Sequence, residues 1–430
     1  FMAKSFGDAF VLDLNTRVPL GRPRPDAQSV GQAARLLAGA ARPVIVAGGG
    51  AITSDASALV VALAEHLGAP VATTWMGKGV IPEDHALSAG AVGDTASTSG
   101  NRLAASADVV LAVGCRFTDW SASSYRKGVS FAIPPSKLIQ VDIDPAEIGK
   151  NYPVEVALVA DARAALVDLL DAVRDATPAR DYRSSVYFAE IQRLKRVWEA
   201  LQSERRDSDE LPMSQSRAMR ELRGVLDRGA IVTSGAGIAQ AVVRQDFPVY
   251  EPRTHITSGG FSTMGFTLPA AIGAKLAQPE RQVVGVAGDG DFYQTMQEMA
   301  VAAMLDLPVL FVVLNNSGWT SIKMGQMAYF GRTIAVDFNR RDGTPYSADI
   351  AACASAFGLY STRVHEPCEL GPAVQRALAT QGPALIEVIV AREGQMAGAV
   401  KAGWWDAPVP EYLSERRQTY ERERAEEQMG

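Results

Sequence analysis

The segment that decides the fold is Val283-Val-Gly-Val-Ala-Gly-Asp-Gly290, taken together with Val309-Leu-Phe-Val-Val-Leu-Asn-Asn316 further along the chain. Each segment is a short apolar run followed by polar or glycine residues, which is typical of a buried strand that ends in a loop. A helical pattern over Thr295–Leu305 lies between them. Parallel strands joined by such a crossover end at the same edge of a sheet, so Asp289 and Asn316 should lie side by side.

These two side chains have a definite chemistry. A carboxylate and an amide oxygen are hard ligands that suit Mg²⁺ or Ca²⁺ and do not suit zinc. Two protein ligands are too few for a cage made by protein alone, and Mg²⁺ usually completes its shell with water and substrate phosphates. Backbone N–H groups after Gly290 favour an anion at the same place. The sequence therefore predicts a metal-bridged diphosphate.

Further apolar runs extend the same arrangement along the chain. The predicted strands are 43–47, 71–74, 108–113, 138–142, 230–233, 283–287, 309–314 and 384–390. Apolar strands that alternate with helices indicate parallel sheets covered on both faces. We therefore predict an α/β fold with two doubly wound parallel-sheet domains.

Composition shifts divide the chain into six segments. Residues 15–29 contain three Arg and three Pro and are interpreted as a linker. The remaining segments are a strand-like remnant (1–14), a central α/β domain (30–177), a connecting helix (178–211), a second α/β domain (212–393) and a tail or lid (394–430). In the tail, Trp404 and Trp405 are candidates to close over the site.

The overall composition excludes several classes of protein. The 430 residues carry 42 Lys and Arg against 48 Asp and Glu, and this negative balance disfavours a nucleic-acid partner. The longest purely aliphatic or aromatic run has seven residues (58–64), whereas a membrane span needs about 20. Three cysteines with no CxxC pair argue against a disulfide framework and favour the cytoplasm. A Gly235-Ala-Gly-Ile-Ala-Gln240 loop is a weak match to a NAD fingerprint.

The spacing of the two motifs resembles a known signature. A GDG triplet followed after 24 residues (291–314) by NN is similar to the thiamine diphosphate motif of the acetolactate synthase and pyruvate decarboxylase family. The resemblance covers almost the whole chain. It is carried by the segments Val44–Gly50, Thr73–Pro82, Val113–Phe117, Val141–Pro145 and Gly259–Ala274.

The resemblance implies roles for individual residues. Asp289, the Asn316 side chain and the Gly318 carbonyl would hold Mg²⁺. Met264 would be the apolar wedge that bends the cofactor, and the backbone near Ser262 would accept a hydrogen bond from its aminopyrimidine. The other implied cofactor-binding residues are Gly235, Ala236, Gly237, Ile238, Gly260, Gly288, Gly290, Asp291, Trp319 and Thr320.

The sequence departs from the family pattern at several positions. Ser262 stands where a glycine is expected, and Asp291 where a small residue is common, so we expect the Asp291 carboxylate to point away from the diphosphate or to cap a helix. Trp120 replaces a second arginine in a segment similar to the flavin-contacting one, which leaves FAD as an open cofactor. Residues 316–322 lack the acid of the decarboxylases, which argues against simple decarboxylation to an aldehyde.

A catalytic glutamate is the missing part of this pattern. The family takes it from an N-terminal pyrimidine-binding domain, but the first glutamate here is Glu65, in the central domain. We interpret residues 1–14 as the last strand of such a domain. The complete protein is then expected to carry about 150–180 further residues before Phe1, one more domain. The chain by itself should be inactive.

The resemblance implies an acetolactate synthase-like transferase or lyase that uses thiamine diphosphate and Mg²⁺. Its expected substrates are small 2-oxo acids or diketones, and the expected assembly is a homodimer or homotetramer. Two alternatives stay open: a thiamine diphosphate-dependent hydrolase of a cyclic 1,2-diketone, and a non-catalytic cofactor-binding protein without the glutamate domain.

Overall fold

Two six-stranded parallel sheets form the described part of the protein. The computed structural model describes residues 21–392, 406 and 409–429, so the strand-like remnant at 1–14, Trp404 and Trp405 lie outside the described residues. Each sheet has helices on both faces, which confirms the predicted α/β fold class. Within the described residues, no helix is both long and apolar enough to cross a membrane.

The first sheet has the strand order β3-β2-β1-β4-β5-β6. Its central strands are fully buried, as expected of a parallel sheet covered by helices. Its elements in chain order are α1 (Ala27–Gly39), β1 (Pro43–Ala47), α2 (Gly49–Thr53), α3 (Ser57–Leu67), β2 (Val71–Thr73), β3 (Ser88–Ala91), α4 (Thr98–Ala105), β4 (Val109–Val113), β5 (Lys137–Asp142), β6 (Val156–Val159) and α5 (Ala162–Ala176).

A long helix, α6 (Val186–Arg206), leads to the second sheet, whose order is β11-β12-β10-β9-β7-β8. Its elements are α7 (Gln215–Val225), β7 (Ile231–Ser234), α8 (Gly237–Asp246), β8 (His255–Thr257), α9 (Thr267–Ala277), β9 (Val283–Gly288), α10 (Asp289–Thr295), α11 (Met299–Met304), β10 (Leu310–Asn315), α12 (Thr320–Phe330), α13 (Ile350–Ala356), β11 (Tyr360–Val364), α14 (Pro367–Ala379) and β12 (Ala384–Ile389). A last helix, α15 (Ser414–Met429), follows.

The structure differs from the predicted bounds of one helix, 295–305, and of the linker, 15–29. The helix after the GDG triplet begins at Asp289 itself, and a 3₁₀ turn at Met296–Glu298 separates α10 from α11. Helix α1 begins at Ala27 and so takes up the last three residues of the predicted linker, because the Asp26 carboxylate accepts a hydrogen bond from the Ser29 N–H and caps the helix.

The two domains are joined by a buried arginine of α8, a helix of the second domain. The Arg244 guanidinium donates hydrogen bonds to the carbonyls of Asp94 (2.6 Å) and Val92 (2.7 Å) in the first domain. It also stacks 4.3 Å from the ring centroid of Trp75. Next to it, Gln245 donates to the carbonyl of Ala96 at 3.2 Å. The last turn of α8 thereby fixes the loop 92–96 that follows β3.

Candidate active site

A cavity of about 1870 Å³ lies between the two domains. It runs from the carboxyl ends of β9 and β10 in the second domain to the ends of β1, β4 and β5 in the first. All of these are carboxyl ends of parallel strands, where ligands of doubly wound sheets bind. Met264 and Ser262 line the cavity, as do these further residues of the predicted site: Ala236, Gly237, Ile238, Gly260, Gly288, Asp289, Gly290, Asp291, Asn316, Gly318, Trp319 and Thr320.

Asp289 lies where the sequence predicts it, at the carboxyl ends of the parallel strands of the second sheet. Strands β9 and β10 pair in parallel, with Gly288 beside Leu314. The Asp289 carboxylate accepts hydrogen bonds from the N–H groups of Gly290 (2.8 Å) and Gly318 (3.3 Å). Burial raises the pKa of Asp289 to about 6 against the opposing effect of these bonds. A divalent cation at the carboxylate would reverse this effect of burial.

Asn316 presents a buried acceptor that has no partner within the described part of the chain. Its Nδ2 donates to the Thr320 hydroxyl at 2.6 Å, which sets the orientation of the amide. Its Oδ1 is buried and makes no hydrogen bond there. An unpaired buried oxygen is costly, and a cation is one partner that removes the cost. The two oxygens, of Asp289 and Asn316, therefore fit Mg²⁺, and no cluster of three acidic, His or Cys ligands occurs among the described residues.

The neighbouring Asn315 has a different role. Its Nδ2 donates to Glu387 (2.7 Å) and to Ser347 (2.6 Å), away from the cavity. Glu387 is fully buried on β12 and also accepts from Arg363 at 2.9 Å. Of the two asparagines in the motif, one faces the cavity and the other anchors the end of β10.

Asp291 is turned toward the protein. Its carboxylate accepts hydrogen bonds from the N–H of Gly265 and the hydroxyl of Thr267, on the loop that enters α9. It does not cap its own helix, whose N-cap is Gly288. A Cβ atom on Gly235 would lie 2.8 Å from this carboxylate, so glycine is required there for the end of β7 to approach. Asp291 thus connects the GDG turn to the loop that carries Ser262 and Met264, and both segments are predicted to hold the cofactor.

Ser262 adopts a backbone conformation that favours glycine. Its φ is +45°, in the left-handed region. Its hydroxyl donates to Gln240 Oε1 at 2.9 Å, and Gln240 Nε2 donates to Thr257 at 2.6 Å. Two residues later, Met264 lies 47% exposed in the cavity. Sequence reasoning missed Gln240, although it is the buried residue that fixes the Ser262 side chain.

We expect Gln240→Leu to weaken binding of thiamine diphosphate with Mg²⁺ about tenfold. The leucine keeps the volume but leaves the Ser262 and Thr257 hydroxyls without their partner, a loss of about 1–2 kcal/mol. Isothermal titration calorimetry measures the affinity, and Gln278→Leu, an exposed glutamine after α9, is the control. Equal affinities for the two variants would show that Gln240 does not position this loop.

The first turn of α8 opens onto the cavity. Ala236 is its N-cap and makes no side-chain cap, so the first N–H groups of the helix have no partner from the cap side chain. Gly237 has φ +75° and Ile238 follows it. These residues and Gly235 form the turn after β7 to which the family resemblance assigned cofactor binding.

The opposite wall of this part of the cavity is the start of α12. A Cβ atom on Gly290 would lie 2.0 Å from the Trp319 ring, so the indole packs directly on the GDG turn. The same ring contacts Phe338 edge-on with centroids 5.3 Å apart. The backbone N–H of Trp319 donates to the Val336 carbonyl at 2.7 Å. Trp319 is therefore a fixed wall beside the predicted metal site.

The terminal helix α15 also borders the cavity. Arg416, Thr419 and Tyr420 are among the lining residues. Arg416 donates to the carbonyls of Met327 (3.3 Å) and Ala328 (3.1 Å) near the end of α12. The part of the predicted tail that the structure describes thus covers this side of the cavity.

Comparison with known proteins identifies the family that this fold and site define. Residues 30–169 match the thiamine pyrophosphate enzyme central domain, and residues 235–388 match the C-terminal thiamine pyrophosphate-binding domain. The chain belongs to the thiamine pyrophosphate (thiamine diphosphate) enzyme family, as predicted.

Its relatives include acetolactate synthases. The chain is 35% identical over 366 residues to a probable acetolactate synthase large subunit of Methanocaldococcus jannaschii, covering 84% of this chain and 59% of that protein. It is 33% identical to the acetolactate synthase large subunit of Corynebacterium glutamicum, covering 88% and 59%. It is 32% identical to glyoxylate carboligase of Escherichia coli O157:H7, covering 88% and 64%. The chain thus spans about three fifths of the length of these relatives.

Proposed function

We propose that the whole protein is a thiamine diphosphate- and Mg²⁺-dependent enzyme that joins a 2-oxo acid to a second carbonyl compound. The observation that carries this proposal is the buried Oδ1 of Asn316, which has no hydrogen-bond partner among the described residues, beside the desolvated carboxylate of Asp289. When bound, the cofactor supplies a carbon nucleophile and accepts the electron pair left by C–C cleavage. The relatives named above, synthases and a carboligase, favour bond formation over hydrolysis.

The residues of this chain would act by holding and orienting. Asp289, Asn316 and the Gly318 carbonyl would bind Mg²⁺. The turn 235–238 would hold the diphosphate with its backbone N–H groups, since it opens α8 without a side-chain cap. Met264 would contact the cofactor from the loop that Asp291 fixes. Trp319 would exclude water from one side of the metal.

The first domain offers room for a dinucleotide, and we propose FAD for it. In the first sheet, the strands that follow β1 in the chain are added on one side of it, and those that follow β4 are added on the other side. This reversal leaves a crevice between the carboxyl ends of β1 and β4. The cavity continues into this crevice along Gly49, Gly114 and Asp142. The visible absorbance of flavin in the purified protein tests this part of the proposal. Unfolding should release the bound FAD, so that filtration then separates the absorbance from the protein.

The function is tested on the full-length protein. With pyruvate, thiamine diphosphate and Mg²⁺, we expect CO₂ release and a hydroxyketone product, both abolished by EDTA and restored by Mg²⁺. Cyclohexane-1,2-dione is supplied in parallel. Hydrolysis of this dione without carboligation would favour the hydrolase, and no cofactor-dependent product from either compound would contradict the proposal.

The assembly is part of the same proposal. Phe261 is 95% exposed and Met264 47% exposed on the loop that faces the cavity, which leaves an apolar surface at the site. We propose a homodimer or homotetramer in which another subunit covers this loop.

A further inference from the structure

A continuous wall of side chains leads from the predicted cofactor loop to Asp94. Met76 packs on the turn before Ser262, since a Cβ atom on Gly259 would lie 3.2 Å from its sulfur. Trp75 directly precedes Met76 in the chain and contacts Trp120 edge-on, with ring centroids 6.5 Å apart. The Trp120 carbonyl accepts the Asp94 N–H at 2.7 Å. Met76, Trp75, Trp120 and Asp94 all line the cavity, and we call these four residues the acceptor wall.

The second domain holds Asp94 in place. Arg244 and Gln245 of α8 bind the carbonyls of residues 92–96, as described above. The loop has a constrained backbone, with φ +108° at Gly93 and +50° at Thr95. A Cβ atom on Gly93 would lie 2.3 Å from the Trp120 carbonyl oxygen, so glycine is required for this approach. The position of the Asp94 carboxyl in the cavity is therefore set by packing from both domains.

The charges around Asp94 are of mixed sign. Burial raises the pKa of Asp94 to about 6, Asp119 adds to the increase, and Arg244 and the Thr95 N–H oppose it. Across the cavity, Tyr329 of α12 is close enough for the Asp94 charge to raise its pKa. Near neutral pH the carboxyl is mainly ionised, so Asp94 presents a negative charge to the cavity, whereas the neighbouring Arg244 is not among the residues that line it.

The positive charges on the cavity lining lie elsewhere. Among the described residues, Arg22, Arg116 and Arg416 are the lysine or arginine side chains that line it. Arg22 is paired with Asp161 at 2.7 Å. Arg416 binds carbonyls at the end of α12. Arg116 lies just after β4, where it opposes the increase that burial and Asp142 cause in the pKa of the Cys115 thiol.

We propose that the acceptor wall binds the second carbonyl compound and selects a neutral aldehyde or ketone over a 2-oxo acid anion. This inference rests on the proposed function. The aromatic and thioether side chains favour an apolar molecule, and the Asp94 carboxylate repels a second carboxylate. The overall step is balanced: the donor loses CO₂, its carbonyl carbon forms a bond to the acceptor carbonyl carbon, and one proton from water ends on the acceptor oxygen.

The test compares two acceptors of nearly equal shape. Pyruvate is the donor in every reaction of the full-length protein with thiamine diphosphate and Mg²⁺, and pyruvate and butane-2,3-dione compete as acceptors. We expect the wild type to favour the dione, and Asp94→Asn to shift the product ratio about tenfold toward pyruvate as acceptor, since one like-charge repulsion is removed. Asp171→Asn, an exposed carboxylate on α5, is the control with the same change in net charge.

The ratio does not depend on how much of a variant is folded, because both products come from one preparation. In the wild type, the preference should also relax as the pH falls below about 6, where Asp94 becomes neutral. Infrared difference spectra between pH 5 and 7 should show a carboxyl band that is absent in Asp94→Asn. A preference for pyruvate that Asp94→Asn leaves unchanged would overturn the inference and leave the proposed function standing. Absence of any cofactor-dependent product would instead overturn the proposed function.

Discussion

Asp289→Ala is expected to abolish Mg²⁺-dependent binding of thiamine diphosphate. The substitution removes the one carboxylate among the two side chains predicted to bind the metal, and with it the acceptor for the N–H groups of Gly290 and Gly318. Without the carboxylate charge that attracts the metal, and without the loop geometry that the carboxylate fixes, the affinity for thiamine diphosphate should fall by more than a hundredfold, about 3 kcal/mol. Calorimetric titration of thiamine diphosphate, with Mg²⁺ and with EDTA, measures the effect.

The control is Glu280→Ala, an exposed carboxylate in the same domain. Its affinity should match the wild type in both buffers. The Mg²⁺ dependence is the decisive quantity, because a general loss of structure would weaken binding equally with and without the metal. An Asp289→Ala protein that keeps the wild-type affinity in Mg²⁺ would disprove the metal site.

The second large effect is expected on stability, from Arg244→Ala. This buried guanidinium donates to two carbonyls of the first domain and stacks on Trp75. Burial lowers the pKa of Arg244 to about 9, so it remains charged at neutral pH. Since a hydrogen bond from a charged group contributes about 1.5–3 kcal/mol, the loss of two should lower the free energy of unfolding by about 3–5 kcal/mol.

Urea unfolding followed by tryptophan fluorescence measures this change, and Trp75 reports on the domain contact directly. Arg174→Ala, a side chain 55% exposed on α5, should change the free energy of unfolding by less than about 0.5 kcal/mol. If both variants unfold at the same urea concentration, the contact between the domains does not depend on Arg244.

The predicted and the missed strands differ in one physical respect. Within the described residues, the eight predicted strands are the interior strands of the two sheets, and the four missed ones, β3, β6, β8 and β11, are the edge strands. Interior parallel strands are buried on both faces and are continuously apolar, as in Val109–Val113. Edge strands are short or partly exposed, as in Tyr360–Val364, so their sequence lacks that pattern.

Prediction of the candidate site from the sequence meets a similar limit. Adjacency of Asp289 and Asn316 followed from chain topology, which the motif spacing reveals. The roles of Gln240 and Glu387 could not be predicted in this way, because their partners lie 17 to 72 residues away in the chain. Nor does the sequence tell which asparagine of the pair faces the cavity, since that depends on the contact of Asn315 with β12.

Helix α8 has one end at the predicted cofactor site and the other at the contact between the domains. Its ten residues, Gly237–Asp246, form a rod about 15 Å long, with its first turn on the cavity and Arg244 in its last turn. Ordering either end stabilises the same element. If thiamine diphosphate binds at the first turn, as proposed, its affinity is linked thermodynamically to the domain contact through this helix. Linkage is reciprocal: the free energy by which the bound cofactor strengthens the contact equals that by which the contact strengthens cofactor binding.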